Sequence, residues 1–286
     1  MAIRPTQPQR ADGVLDTAVR LSKASVVKVL PLSLLMMLAS TPGSFYVFIA
    51  GGGVDMSDPF GMVRLMLSPG YLLVSAASCI VMMLIAAAVS LRMAAIADDG
   101  DMSTATALLQ ALRHVPSLLV SLVLYVIVVG IGPLLLVAPI VLSRGGSIAV
   151  TLGALLTIAS VIPGVSLLLF VGTNLFENKG PIAALIASHR LVWGKWWHTN
   201  AVLVVGTLVL IVIYAIAALL VGMVAAVQVL VGGGANLALT SLIGDLLIGL
   251  VSSPFVTPFS VAMFLAIYWD LHLRRPGGDD RERASG

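Results

Sequence analysis

The chain has 286 residues, 59% of them hydrophobic and only 10% charged, with a formal net charge of +3. Soluble domains carry about 25% charged residues, and one water-facing core of this size cannot hide so much apolar surface. The composition therefore excludes a soluble globular protein and makes lipid the solvent of most of the chain.

Residues 1–24 are polar and carry Arg4, Arg10, Arg20 and Lys23. No small-residue cleavage site ends the apolar run that follows, so it reads as a retained first span and not a signal peptide. A membrane helix needs about 20 mostly apolar residues. Six segments qualify within a 25–273 membrane domain: Val29–Ala50, Tyr71–Ile96, Val115–Ser143, Ser147–Gly172, Ala201–Val231 and Leu246–Trp269. The third and fifth exceed the required length, so tilt or protrusion is expected. Prolines fall inside the third (Pro133, Pro139), fourth (Pro163) and sixth (Pro254, Pro258), where each removes a backbone donor and kinks the helix. The single cysteine, Cys79, lies in the second apolar run and reads as a buried thiol.

The cations give the orientation. Six spans place the N-terminus, the loops after spans two and four, and the C-terminus on one side. That side carries 14 of the 16 Lys and Arg residues; only Arg64 and Arg144 lie on the other, so the richer side is expected to be cytoplasmic. Trp193, Trp196, Trp197, Tyr268 and Trp269 fall at the same helix ends and read as interfacial anchors.

Two segments on the cytoplasmic side resemble each other. TALLQALRHV (Thr106–Val115) and AALIASHRLV (Ala183–Val192) align at an offset of 77 residues, Ala107 to Ala184 and Arg113 to Arg190. Ala105, Leu108, Leu109 and Leu112 form an apolar stripe at helical spacing; Ile182, Leu185 and Ile186 begin the same stripe and His189 takes its fourth place. Asp101 and Ser103 suit the cap of the first, and Pro181 the first turn of the second. Both are too short to span, so interfacial helices at 103–114 and 181–193 are expected to lie in the headgroup layer. A weaker third copy runs from Leu15 to Lys23. The implied architecture is all-α: three units, each an interfacial helix and a transmembrane hairpin, with turns at 51–70, 143–146 and 232–236. The tail, 274–286, mixes charges with Pro and Gly and reads as disordered.

The last cytoplasmic loop runs Glu177-Asn178-Lys179-Gly180, then AALIASHRLVWGKWW from Ala183 to Trp197. The C-terminal segment runs TPFSVAMFLAIYWDLHLRR from Thr257 to Arg275, closing in Tyr268, Asp270, Leu271 and Arg274. These stretches resemble the membrane domain attached to some bacterial glycerophosphodiester phosphodiesterases and its stand-alone relatives. The sequence departs from that pattern at His272, where Arg is usual. The catalytic barrel of those enzymes is absent, so the resemblance implies no hydrolase activity.

Among candidate sites, Arg113, Arg190 and Lys195 have the chemistry to hold anionic lipid headgroups. Asn200 and Asp245 are candidates for a polar path; Asn174, Thr207, Gln228 and Ser241 suit interhelical hydrogen bonds. Asp245 precedes Asp270 by 25 residues. That is roughly 37 Å of helix against a hydrocarbon core of about 30 Å, which favours a carboxylate at the periplasmic interface. His114, His189, His198 and His272 lack a ligand spacing, so no metal is expected. There is no nucleophile elbow, Walker loop, zinc-protease helix or CxxC, and no basic-aromatic surface for nucleic acid.

The expected protein is a non-enzymatic, multi-pass protein of a bacterial inner membrane, without cofactor, whose partners are membrane lipids and other membrane proteins or a second copy of itself. Lipid interaction or scaffolding is the first reading. Its alternative is a transporter for a small or amphipathic solute, resting on the repeat and the broken spans.

Overall fold

The computed structural model describes residues 3–51, 61–142, 147–232 and 237–275; of these, positions 62, 131–142, 147–150, 152, 224–225, 227–232 and 237–241 are described by backbone alone. Among the described residues there are ten helices and no strand: α1 (Ala11–Ser40), α2 (Pro42–Gly51), α3 (Gly61–Met66), α4 (Pro69–Ala97), α5 (Thr104–Leu142), α6 (Ser147–Leu167), α7 (Phe170–Glu177), α8 (Pro181–Trp193), α9 (Trp196–Gly232) and α10 (Leu237–Leu273). Six stretches are long and apolar enough to cross a membrane: Ala11–Gly51, Pro69–Ala97, Thr104–Gly130, Gly153–Glu177, Trp196–Met223 and Leu242–Leu273. An all-α chain with six candidate spans is thus what the structure holds.

Several helices differ from the sequence reading. Residues 15–23 and 104–114 do not form separate short helices; they are the opening turns of α1 and α5, which run on without a break. Only 181–193 stands as a helix of its own, with Pro181 in its first turn. The turns at 143–146 and 233–236, residues 52–60 of the 51–70 connection, and the tail beyond Arg275 lie outside the described residues; α3 occupies part of the remaining connection.

Helix ends follow local chemistry. Ser68 caps α4 by accepting from Tyr71 N–H at 3.3 Å, with Pro69 in the first turn. Ser103 accepts from Thr106 N–H at 3.1 Å and opens α5. At the far end of α4, Asp99 adopts a left-handed φ of 56°. Gly100 N–H then reaches Ala95 O at 2.8 Å and Asp99 N–H reaches Ile96 O at 3.2 Å, the two bonds that close a helix onto its own last carbonyls.

The packing faces are lined by small residues, with most of the large apolar stripe turned outward. On α5 the outward residues are the large ones, with Leu109 66% and Leu112 55% exposed, while Ala107, Ala111, Val115 and Leu118 are buried. On α8, Ile182 and Ile186 point outward and Ala184, Ala187, Ser188 and Val192 inward. An apolar stripe marks a core only in water. In lipid, large apolar side chains lose nothing by facing out, and small ones let helices approach. Cys79 likewise lies on the outward face of α4 and is not buried.

The chain divides into two compact units. One comprises Met1–Ile3, Val19–Ala111 and Val205–Ala262; the other comprises Arg4–Ala18, Leu112–Val204 and Met263–Gly286. In the first, Ser253 of α10 donates to Ser33 O of α1 at 2.6 Å, and Tyr46 of α2 meets Tyr71 of α4 edge-on at 6.0 Å.

In the second, the span that starts with α6 breaks at Leu168-Leu169, five residues after Pro163. A break at membrane depth frees carbonyls that need new donors. Ser188 of α8 supplies one, donating to Ser166 O at 2.9 Å. Thr173 of α7 returns a bond to Ala184 O at 2.9 Å, so α8 is stitched across the break.

Past the break, Gly172 passes close to α10. An added Cβ would fall 2.8 Å from Tyr268 Cδ2, and that ring is held on its other sides by Phe176 and Glu177. Gly172→Ala is therefore expected to cost about 1–3 kcal/mol by overpacking. Gly222→Ala, where a Cβ meets nothing within 4 Å, is expected to be neutral or mildly stabilising. Thermal unfolding of the two variants side by side in detergent or nanodiscs checks this, and equal melting temperatures would contradict it.

Candidate functional site

The C-terminal turns of α10 carry the motif Tyr268, Trp269, Asp270, Leu271, and all four are buried in the second unit. Asp270 is its centre, with its side chain only 1% exposed. Its Oδ1 accepts from Gln9 N–H at 2.6 Å. Its Oδ2 accepts from Arg274 Nε at 2.8 Å and lies 3.0 Å from His198 Nε2, which donates as the Nε2–H tautomer. The Arg274 guanidinium also donates to Gln9 O, so Asp270, Arg274 and the Gln9 backbone close a ring. Gln9 is further fixed by Thr17, whose hydroxyl donates to Gln9 Oε1 at 3.0 Å.

Tyr268 and Trp269 point into the same assembly. The Tyr268 hydroxyl donates to Glu177 Oε1 at 3.0 Å, and Glu177 Oε2 pairs with Lys179 at 2.6 Å and Arg275 at 3.8 Å. The Arg4 guanidinium carbon sits 5.8 Å from the centre of the Trp269 ring, a cation–π distance. Both aromatics are buried against the protein, where they tie α10 to the α7–α8 turn and to the N-terminal segment. Asn174 of α7 does related work by donating to Lys179 O at 3.0 Å and to the Ser117 hydroxyl of α5.

The expected cation site lies elsewhere in this unit. Arg113, Arg190 and Lys195 are exposed, and their side chains make no hydrogen bond or ion pair among the described residues. Trp193 and Trp197 are exposed too, at 61% and 80%, while Trp196 is half-buried. Around the α8–α9 corner, Trp193, Lys195, Trp196, Trp197 and His198 line a shallow, largely apolar cleft of about 540 Å³ with Ile162 at its floor. Trp196 Nε1 is buried without a hydrogen-bond partner. Two edge-on Trp rings, 4.8 Å apart at Trp196 and Trp197, give this corner a stiff aromatic wall beside a free ammonium. The arrangement has the parts to seat a chain of apolar carbons and to pair with an anionic group.

The two polar-path candidates fall in different units. Asn200, half-buried at the start of α9, belongs to the second. Asp245, exposed on α10, belongs to the first, where Ser44 Oγ donates to its Oδ2 at 3.4 Å. It lines a cleft there together with hydroxyl residues that the sequence reading did not single out: Ser252, Ser253, Thr257 and Ser260. Their spacing of seven, eight, twelve and fifteen residues from Asp245 was the available signal, since those steps return to one helix face. Gln9 had no signal, because it acts through its backbone. Among the described residues no three His, Cys, Asp or Glu side chains converge as a metal site would require.

Comparison with family models, curated proteins and solved structures returns no match.

A buried carboxylate stripped of one partner keeps its desolvation cost without its compensation. Arg274→Ala is therefore expected to destabilise by about 3–5 kcal/mol, and Asp270→Ala by a similar amount. The double variant is expected to cost clearly less than the sum, because the two residues share one interaction. Equilibrium unfolding of the three variants reads the coupling, and strict additivity would remove the ring as a stabilising unit.

Proposed function

We propose that the chain is a non-enzymatic, six-span protein of a bacterial inner membrane, with both ends cytoplasmic, that binds anionic lipid at the α8–α9 corner. One observation carries the lipid reading: the candidate cations are not spent on acids, and one of them stands on an aromatic cleft. Lys179, Arg274 and Arg275 are consumed by Glu177 and Asp270. Arg113, Arg190 and Lys195 are exposed and uncommitted, and Lys195 stands between two outward Trp rings on an apolar cleft. Trp rings favour the headgroup layer, and each cation near an anionic surface contributes about 1 kcal/mol. The lopsided cations around six apolar helices support the orientation. The resemblance to a membrane domain of lipid-phosphodiester enzymes supports the same class of ligand, and a scaffolding role for other membrane proteins or a second copy is compatible with it.

A second reading, passage of a small or amphipathic solute, is favoured by the cleft of about 520 Å³ that contains Asp245.

Native mass spectrometry of protein released from phosphatidylglycerol-containing nanodiscs tests the lipid reading. The parent is expected to retain anionic lipid, and the combined Arg113→Ala, Arg190→Ala and Lys195→Ala variant to bind it on the order of a hundredfold more weakly, at about 1 kcal/mol for each cation removed. Equal retention would overturn it. Reporter fusions after Trp197 and at the final residue are expected to report the same face of the membrane; opposite faces would overturn the orientation.

A further inference from the structure

The cleft in the first unit is built along one face of α10. Asp245, Gly249, Ser252, Val256 and Ser260 follow one another at steps of three or four residues, and all of them line it. At about 1.5 Å per residue this face extends some 22 Å. Two prolines interrupt the same stretch, Pro254 and Pro258. Each removes a backbone donor, leaving the carbonyls of Leu250 and Pro254 without their usual helical partners.

The chemistry of the walls is asymmetric. Among the described residues of the lining, Asp245 is the one carboxylate and no Lys, Arg or His accompanies it. Its only described neighbour of note is the Ser44 hydroxyl, a long neutral donor at 3.4 Å. The opposite walls are soft and apolar: Met36 and Met37 from α1, Met82 from α4, and the Tyr214 ring from α9. Thioethers and aromatic faces accept cations and adapt to the shape of an apolar body.

The hydroxyls are not equivalent. Ser253 is spent on Ser33 O. Ser252 lines the cleft and its side chain makes no hydrogen bond among the described residues. Its hydroxyl is therefore available to a bound polar group.

We infer that this cleft is a binding site for an organic ammonium ion carried on an apolar body, with Asp245 as its counter-ion and the methionine and tyrosine walls around the body. An anion is disfavoured by the unbalanced carboxylate, and a bare metal ion by the lack of further charged ligands. The same ammonium chemistry occurs in free amphipathic amines and in the headgroup of an aminophospholipid. The inference names the solute class for the second reading above and is independent of lipid binding at the α8–α9 corner.

Equilibrium binding of three probes to the full chain in phosphatidylglycerol nanodiscs tests it: phenylethylamine, phenylethanol and phenylacetate. They share one apolar body and differ in charge. Phenylethylamine is expected to bind most tightly, and Asp245→Asn to weaken it about tenfold while leaving phenylethanol unchanged. Asp245 is exposed, and Asn retains an acceptor for Ser44, so the variant is expected to fold; an unchanged melting temperature verifies that. Adding phosphatidylethanolamine to the nanodiscs separates the two sources. Competition with phenylethylamine identifies the lipid headgroup, and no competition identifies a free amine. Preference for phenylacetate or phenylethanol would overturn the ammonium assignment while leaving a solute site; no binding of any probe would remove both.

Discussion

Asp270 sets the terms for the second unit. A carboxylate at the end of a long apolar helix is far from bulk water, and it persists there because donors reach it from a backbone amide, an imidazole and a guanidinium. Two of those donors come from distant stretches of chain and the third from four residues on, so satisfying one charge fixes the N-terminal segment, the start of α9 and the last turn of α10 together. Hydrophobic burial alone lacks such direction in a bilayer, where lipid tails solvate an apolar helix as well as another helix does. Directional polar contacts at Asp270 and Glu177 therefore provide the specificity that a packed core provides in a soluble protein.

The broken span follows the same logic. Pro163 and the interruption at Leu168-Leu169 disturb the helical ladder; Ser188 of α8 donates to a carbonyl before the break, and Thr173 of α7, beyond it, donates back to α8. The helix that the sequence presents as a surface element is thus also a clamp: its inner face closes the break while its outer face carries Ile182, Ile186 and Arg190. That double duty explains why small residues at 184, 187 and 188 accompany large ones on the opposite side.

Much of this organisation was legible in the residues. The number of apolar stretches and their approximate places follow from length and composition, because a bilayer admits a narrow range of helix lengths. The caps at Ser103 and Pro181 follow from short-range backbone chemistry. Leu109 and Ile186 belong to the apolar stripes read from the sequence and lie outward, whereas the small inward residues Ala107, Ala111, Ala184 and Ala187 carried no comparable signal. For Tyr268 and Trp269 the sequence shows aromatics at a helix end but not their partners, Glu177 and Arg4. Those partners lie 91 and 265 positions away in the chain, beyond any local pattern. The cleft was half legible, through Asp245 and the prolines. Its hydroxyl stripe is diluted among apolar neighbours and emerges only when α10 is viewed as a cylinder.

Gln9 meets Asp270 and Arg274 through its amide hydrogen and its carbonyl oxygen, groups every residue but proline possesses in full. The ties to the acid and the base are therefore written in the route of the main chain, and the side chain adds only its own bond to Thr17. A substitution there would keep both main-chain ties and lose the Thr17 contact, so an evolutionary signal would mark the acid and the base more strongly than the residue that joins them.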